Sequence, residues 1–184
     1  MLKNLLVLSL VALFSLPSFS QPQSGTNVWP GGAKVAVSLS YDDALNSQLD
    51  HAIPALDARK LKASFYILPN SPVMDRRLSE WRQIAKNGHE LGNHSVYHPC
   101  SASLPNRSWV AKHHDLDTYS VDKMLEELRT ANTFLKALDG KTERTYTVPC
   151  GDLRVAGKTY LSELSELFVA VKGQGVDHGF STLW

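Results

Sequence analysis

The chain lacks an excess of charge of either sign. Its 184 residues contain 19 lysines and arginines against 18 aspartates and glutamates, which gives a formal net charge of +1 at pH 7. Proteins that bind nucleic acids or anionic membranes need clustered positive charge to neutralise phosphates. The charge balance therefore argues against nucleic acid and membrane surfaces as partners and favours a neutral partner.

The chain also lacks an apolar run long enough to cross a bilayer. Residues 5–16 form an apolar stretch, but a spanning helix needs about twenty such residues. Lys3 precedes this stretch and Ser18-Phe19-Ser20 follows it, which is the order of features in a secretory signal peptide. We therefore predict a signal peptide over residues 1–20, no membrane anchor after its cleavage, and a secreted or periplasmic protein.

Cysteine is scarce, with only Cys100 and Cys150 in the chain. An even number of cysteines in an exported protein permits a disulfide, and two free buried thiols are the alternative. Cys100 directly follows a histidine motif, and Cys150 lies between Pro149 and Gly151. A bridge between them would pin the rim of a pocket if both segments line it.

Residues 21–33 are polar, contain glycine and proline and show no periodicity, so we interpret them as a linker or arm. The 164 residues that follow residue 20 are enough for one domain with a proper core but not for two, and we place this domain at residues 34–184. Within them the apolar patterns predict strands alternating with helices. The predicted strands cover residues 34–40, 63–68, 144–148 and 167–171, with a further short run before His94, and the predicted helices cover residues 47–60, 78–85 and 121–138.

The last of these helices has the strongest pattern, with Ser120 as its cap and Gly140 as its terminator. Pro54 is expected to kink or divide the first one. Strands that alternate with helices indicate an α/β fold with a parallel sheet. In such folds the functional groups collect at the carboxyl ends of the strands.

Three polar motifs occupy that kind of position. Asp42 and Asp43 follow the first predicted strand, His94 and His98 follow the third β-like run, and Pro149-Cys150-Gly151 follows the fourth. We therefore expect the three motifs to line one pocket.

Two imidazoles and two carboxylates suit a divalent metal with three protein ligands and an open position for water. Each half of the set is ambiguous alone. A histidine pair four residues apart also occurs on solvated helices, and Asp42 and Asp43 could merely cap a helix or a turn. The combination in this order favours a metal-dependent hydrolase.

These motifs resemble those of the polysaccharide deacetylases of the NodB-homology type, also called carbohydrate esterase family 4. The family's T-F-D-D-G motif is matched by residues 40–44, with Ala44 in the glycine position. Its H-S/T-x-x-H-P motif is matched in full by residues 94–99, and R-x-P-x-G is matched only by Pro149 and Gly151. The resemblance covers residues 34–175.

The resemblance implies a distorted (β/α) barrel in which Asp42 is the general base and Asp43, His94 and His98 hold a divalent metal. Zinc is the first expectation, with cobalt or nickel as alternatives. An acetylated polysaccharide or oligosaccharide would be the substrate. Ser95 would support the histidine loop by hydrogen bonding.

The remaining candidates are assigned to the pocket. Tyr41 is expected to pack beside the base, and Pro149 and Gly151 are expected to line the pocket. Trp109 lies in a predicted long loop, residues 106–119, where it could stack on a sugar or belong to a plain surface insertion.

The chain departs from the family pattern in two places. Thr147 stands where the family has an arginine that orients the catalytic aspartate, and a threonine cannot supply that charge. The family's later Asp-Trp and Leu-x-His motifs have no match, because His178 is interpreted as a loop histidine, so we expect a domain that is partial at its C-terminus. Three functions stay open: removal of N- or O-acetyl groups from a polysaccharide, hydrolysis of non-sugar C–N amide bonds on the same fold, and carbohydrate binding without catalysis.

Overall fold

The computed structural model describes residues 32–172. Five strands form a parallel sheet in the order β1-β2-β3-β4-β7. A separate antiparallel pair, β5-β6, follows β4 in the chain. The strands are β1 (Ser40–Tyr41), β2 (Ser64–Ile67), β3 (Glu90–Asn93), β4 (Thr145–Thr147), β5 (Arg154–Val155), β6 (Lys158–Thr159) and β7 (Ala170–Lys172).

Three α-helices connect the strands of the parallel sheet: α1 (Ile53–Ala58), α2 (Pro72–Lys86) and α3 (Val121–Asp139). The caps predicted for α3 are confirmed, because the Ser120 side chain accepts a hydrogen bond from the Lys123 amide and Gly140 ends the helix with a φ of 79°. Pro54 divides the first helical segment as expected, since a π-helical turn (Gln48–Ala52) precedes α1 there. Within residues 32–172 we find no helix that is both long and apolar enough to span a membrane.

The predicted first strand was wrong in its extent. Of residues 34–40 only Ser40 belongs to β1, and the side chains of Val35 and Val37 are 74% and 81% exposed. β2 begins at Ser64, directly opposite Ser40, so the ladder starts there, and the residue before it contributes only the Leu39 carbonyl, which accepts a hydrogen bond from the Ser64 amide at 3.0 Å. An apolar alternating segment becomes a strand only where it finds a partner to pair with. The other predicted strands are confirmed in position, with ends that differ by one to three residues.

The two faces of the parallel sheet differ in polarity. One face carries apolar side chains, among them Phe65, Leu91, Tyr146 and Val171, which pack in two buried clusters with residues of the helices. The opposite face is polar because the register aligns side chains of the same kind across neighbouring strands. This polar face carries Ser64, Tyr66, Glu90, Thr145, Thr147 and Lys172.

The sheet is curled. β1 and β7 lie at its two edges, and in a flat sheet they would be about 19 Å apart, because neighbouring strands are spaced by about 4.8 Å. Yet the Lys172 ammonium at the end of β7 lies 3.0 Å from the carboxylate of Asp42, which directly follows β1. The carboxyl ends of the two edge strands therefore approach each other across the polar face.

Candidate metal centre

Three predicted metal ligands converge where β1 and β3 end. Oδ1 of Asp43 lies 3.3 Å from Nε2 of His94 and 3.6 Å from Nε2 of His98. The ligand atoms of the three side chains all lie within 4.8 Å of one another. Two ligands of a tetrahedral zinc ion are about 3.3 Å apart, given metal–ligand distances of about 2.0–2.1 Å. The donor set and its spacing therefore fit one zinc-sized ion with a fourth position left for water.

The backbone leaves the strand conformation to make this convergence possible. In a continuing strand Asp42 and Asp43 would point to opposite faces. β1 instead ends at Tyr41, and Asp43 and Ala44 adopt φ angles of 76° and 53°. This left-handed turn, which is unfavourable for residues other than glycine, places two adjacent carboxylates at the same end of the sheet.

A hydrogen bond to the main chain of β4 fixes the orientation of the His94 ring. The His94 side chain is 3% exposed, and its Nδ1 lies 2.8 Å from the carbonyl oxygen of Thr147 in β4. A carbonyl can only accept a hydrogen bond, so Nδ1 carries the proton and donates. In the neutral imidazole this tautomer leaves Nε2, the nitrogen that faces Asp43, free to bind a metal.

The electrostatic environment favours the ligating forms of these groups. A hydrogen bond that His94 donates when its Nε2 also carries a proton lowers the pKa of Asp43, although burial acts in the opposite direction. Burial lowers the pKa of His98, with a smaller contribution from the neighbouring His94. At neutral pH the site therefore presents a carboxylate and a neutral His98 imidazole, the states in which both groups bind metals.

The histidine loop is held by hydrogen bonds to its own residues and to α3. Ser95, which is fully buried, accepts a hydrogen bond from the His98 amide at 3.0 Å through its hydroxyl. The buried carboxylate of Glu127 in α3 accepts one bond from the Tyr97 amide and another from the Tyr119 hydroxyl. The loop that carries His98 is therefore anchored to α3.

A disulfide completes this support. Cys100 and Cys150 are bonded, with their Cα atoms 5.9 Å apart. The bridge joins the histidine loop to the turn that follows β4, so the segments of the second and third motifs are covalently linked. Pro149 in that turn is buried, and Gly151 lines a cavity of about 330 Å³ together with Asp152 and Arg154.

Asp42 has a partner that the sequence analysis missed. Nζ of Lys172 lies 3.0 Å from each oxygen of the Asp42 carboxylate. Lys172 is the last residue of β7, and it directly follows the predicted strand 167–171. The available signal is a cation at the carboxyl end of a predicted strand, the kind of position that the three motifs also occupy.

The other predicted pocket residues lie outside the metal-ligand cluster. The Tyr41 ring stacks on Phe65, with ring centroids 5.0 Å apart, and packs against the apolar cluster under the helices. Trp109 is 61% exposed, and its indole donates to the carbonyl of Asn106 in the same loop. His178 and the predicted signal peptide, residues 1–20, lie outside the described residues.

Sequence comparison identifies the family. The sequence profile described as polysaccharide deacetylase matches residues 31–167, which is more than half of the chain. The chain therefore belongs to the polysaccharide deacetylase family. Among individual proteins it is similar to YlxY of Bacillus subtilis, named as an uncharacterized protein, with 27% identity over 111 residues that cover 60% of this chain and 30% of YlxY.

Solved structures show the same fold. A mutant of BA3943, described as a carbohydrate esterase family 4 pseudoenzyme with restored enzymatic activity, has 22% identity and a TM-score of 0.53, covering 71% of this chain and 41% of that one. The unmutated protein is from Bacillus anthracis. A mutant of the peptidoglycan deacetylase PdaC from Bacillus subtilis has 20% identity and a TM-score of 0.51, covering 73% of this chain and 55% of PdaC.

The chain thus spans between 30% and 55% of the length of these relatives. At such identities the structures bear on the fold. The fold expected from the resemblance is confirmed: the parallel sheet is curled into part of a NodB-type (β/α) barrel, with helices packed around it.

Proposed function

We propose that this protein is an exported, metal-dependent hydrolase that removes acetyl groups from an acetylated polysaccharide or oligosaccharide. The observation that carries the proposal is the cluster of Asp43, His94 and His98 with Asp42 beside it. Membership of the family is not sufficient by itself, because a relative of the same fold is described as a pseudoenzyme and function depends on the residues of the site.

The roles of the side chains follow from their chemistry. Asp43, His94 and His98 would hold the divalent ion, for which zinc is the first candidate and cobalt or nickel the alternatives. When bound, such an ion lowers the pKa of water and polarises a carbonyl group. Asp42 would act as the general base, with a carboxylate oxygen accepting the proton of the attacking water.

Acetate release measured beside metal stoichiometry would test this proposal. The purified chain would be stripped with a chelator, reloaded with one equivalent of zinc, and assayed on acetylated chitin oligomers, peptidoglycan and acetylated xylan. We expect one tight zinc site in the wild type and none in His94→Ala. Asp42→Asn should keep the zinc but lose about 100- to 10,000-fold in rate, the usual contribution of a general base.

His51→Ala is the matched control, because it removes an exposed imidazole from the π-helical turn and should change neither measurement. Zinc binding without acetate release, together with turnover of small cyclic amides, would replace the proposal by a hydrolase of non-sugar C–N bonds. Sugar binding that is unchanged in Asp42→Asn, without turnover of any substrate, would indicate a carbohydrate-binding protein instead.

A further inference from the structure

We infer that Lys172 is a positioning residue for Asp42, and that its ammonium group holds the carboxylate of the base in a fixed orientation beside the metal centre. The inference rests on the proposed function of the site. It goes beyond the motifs, since the sequence pattern had assigned no cation to Asp42 once Thr147 stood in the position of the arginine.

The first support is the geometry of the pair. Nζ of Lys172 is 3.0 Å from both carboxylate oxygens of Asp42, so it contacts the group symmetrically. The two side chains are 22% and 29% exposed, which weakens screening by solvent compared with a fully exposed pair. The main chain of Asp42 is held separately, because the side-chain amide of the buried Gln48 donates to its carbonyl oxygen. Backbone and carboxylate of the base are thus each fixed by a different residue.

The second support is the position of Lys172 in the sheet. Lys172 pairs with Thr147 in the register of β4 and β7, and the Val148 amide donates to the Lys172 carbonyl. The lysine therefore emerges next to the position where the motif lacks its arginine. A lysine is long and flexible enough to carry its charge from the neighbouring strand to Asp42.

The third support lies beneath the ammonium group. Nζ of Lys172 is 5.2 Å from the centroid of the Tyr66 ring, within the range of a cation–π interaction. The ring lies across the sheet over Gly92, where a Cβ atom would be only 2.5 Å from Cδ1 of Tyr66. The Tyr66 ring therefore packs between Gly92 and the Lys172 ammonium group, and the ammonium group in turn contacts the carboxylate of Asp42.

Two variants separate positioning from mere stabilisation of the sheet. Lys172→Met keeps the length of the side chain and removes the charge, whereas Lys172→Arg restores a charge. For Lys172→Met we expect one bound zinc, KM within about twofold of the wild type, and kcat lower by about 10- to 100-fold, since small displacements of a reacting group have effects of that size. Lys172→Arg should recover most of the lost kcat. Lys62→Met is the matched control, because it removes another lysine that pairs with an aspartate, Asp57, at 2.8 Å.

A readout independent of activity is the ¹⁵N NMR signal of the lysine ammonium groups, assigned to Lys172 by its loss in Lys172→Met. We expect this signal to shift in Asp42→Asn and not in Asp50→Asn. A signal unaffected by Asp42→Asn, or an unchanged kcat in Lys172→Met, would overturn the inference. If the wild type releases no acetate, the proposed function fails, and a signal that shifts in Asp42→Asn still supports the pairing.

Discussion

The imidazole of His94 and the main chain of Thr147 are joined by a hydrogen bond of 2.8 Å from Nδ1 to the carbonyl oxygen. This bond links the ends of β3 and β4. The orientation of His94, a predicted metal ligand, therefore depends on the main chain of β4 and not on a side chain. The side-chain hydroxyl of Thr147 takes no part in this contact. It is buried and has no hydrogen-bond partner within residues 32–172.

Thr147→Val should therefore leave zinc affinity within about threefold of the wild type and leave the free energy of unfolding unchanged or slightly higher. The backbone carbonyl that orients His94 is retained, and a buried unpaired hydroxyl is removed. Thr145→Val is the matched comparison, because the Thr145 hydroxyl donates to Glu90 at 2.6 Å. It should lose about 1–3 kcal/mol. Calorimetric zinc titration and urea unfolding would measure both variants, and equal losses in the two would contradict the prediction.

Gly92→Ala should destabilise the protein by about 1–3 kcal/mol, as overpacking of a filled interior does. The new methyl group would lie 2.5 Å from Cδ1 of Tyr66. In a Tyr66→Leu background the same substitution should cost much less, with a coupling free energy of at least about 0.5 kcal/mol. Urea unfolding of the four proteins in this cycle provides the measurement, and additive effects would show that the ring does not require the glycine.

Replacing Cys100 and Cys150 together by serine should lower the free energy of unfolding by about 2–4 kcal/mol, because the bridge closes a long loop in the unfolded chain across a sequence separation of 50. It should also weaken zinc binding, since His98 lies two residues before Cys100. Unfolding with and without zinc would reveal both effects. A loss of stability with unchanged zinc affinity would mean that hydrogen bonds alone fix the histidine loop.

The stability of the protein should depend on pH through Glu127. Burial raises the pKa of this carboxyl group above its ordinary value. Glu127 then binds its proton more tightly in the folded state than in the unfolded state. Its contribution to the free energy of unfolding is therefore fully present below the unfolded pKa of about 4.3. That contribution is lost as the pH rises through the folded pKa.

Glu127→Gln removes this titration, and its unfolding free energy relative to the wild type should therefore improve as the pH increases from 4 towards neutrality. Glu126→Gln, an exposed neighbour on the same helix, should show no such trend. Urea unfolding at several pH values would compare the two. Parallel pH curves for Glu127→Gln and the wild type would exclude Glu127 as the source of the dependence.

The helices and the histidine motif were predictable because their signals are local. The apolar stripe, the Ser120 cap and the Gly140 terminator of α3 all lie within one short segment, and the motif 94–99 folds back on itself through Ser95. The extent of β1 was not predictable in this way, since Val35 and Val37 have the composition of a strand and only the start of β2 decides where pairing begins.

The partner of Asp42 was missed for a related reason. Asp42 and Lys172 are separated by 130 residues, and their contact depends on the strand order and on the curl of the sheet rather than on any spacing in the sequence. The position of Lys172 after a predicted strand was visible, but its direction across the polar face was not.

The contact between Asp42 and Lys172 also bears on the folding of the chain. It joins the two edge strands of a five-stranded sheet, so it can form only after every intervening strand is in register. Contacts of such long sequence separation form late, because the entropy of closing the intervening loop must be overcome first. The orientation of the base would then be the last part of the site to be acquired during refolding, after the helices and the histidine loop.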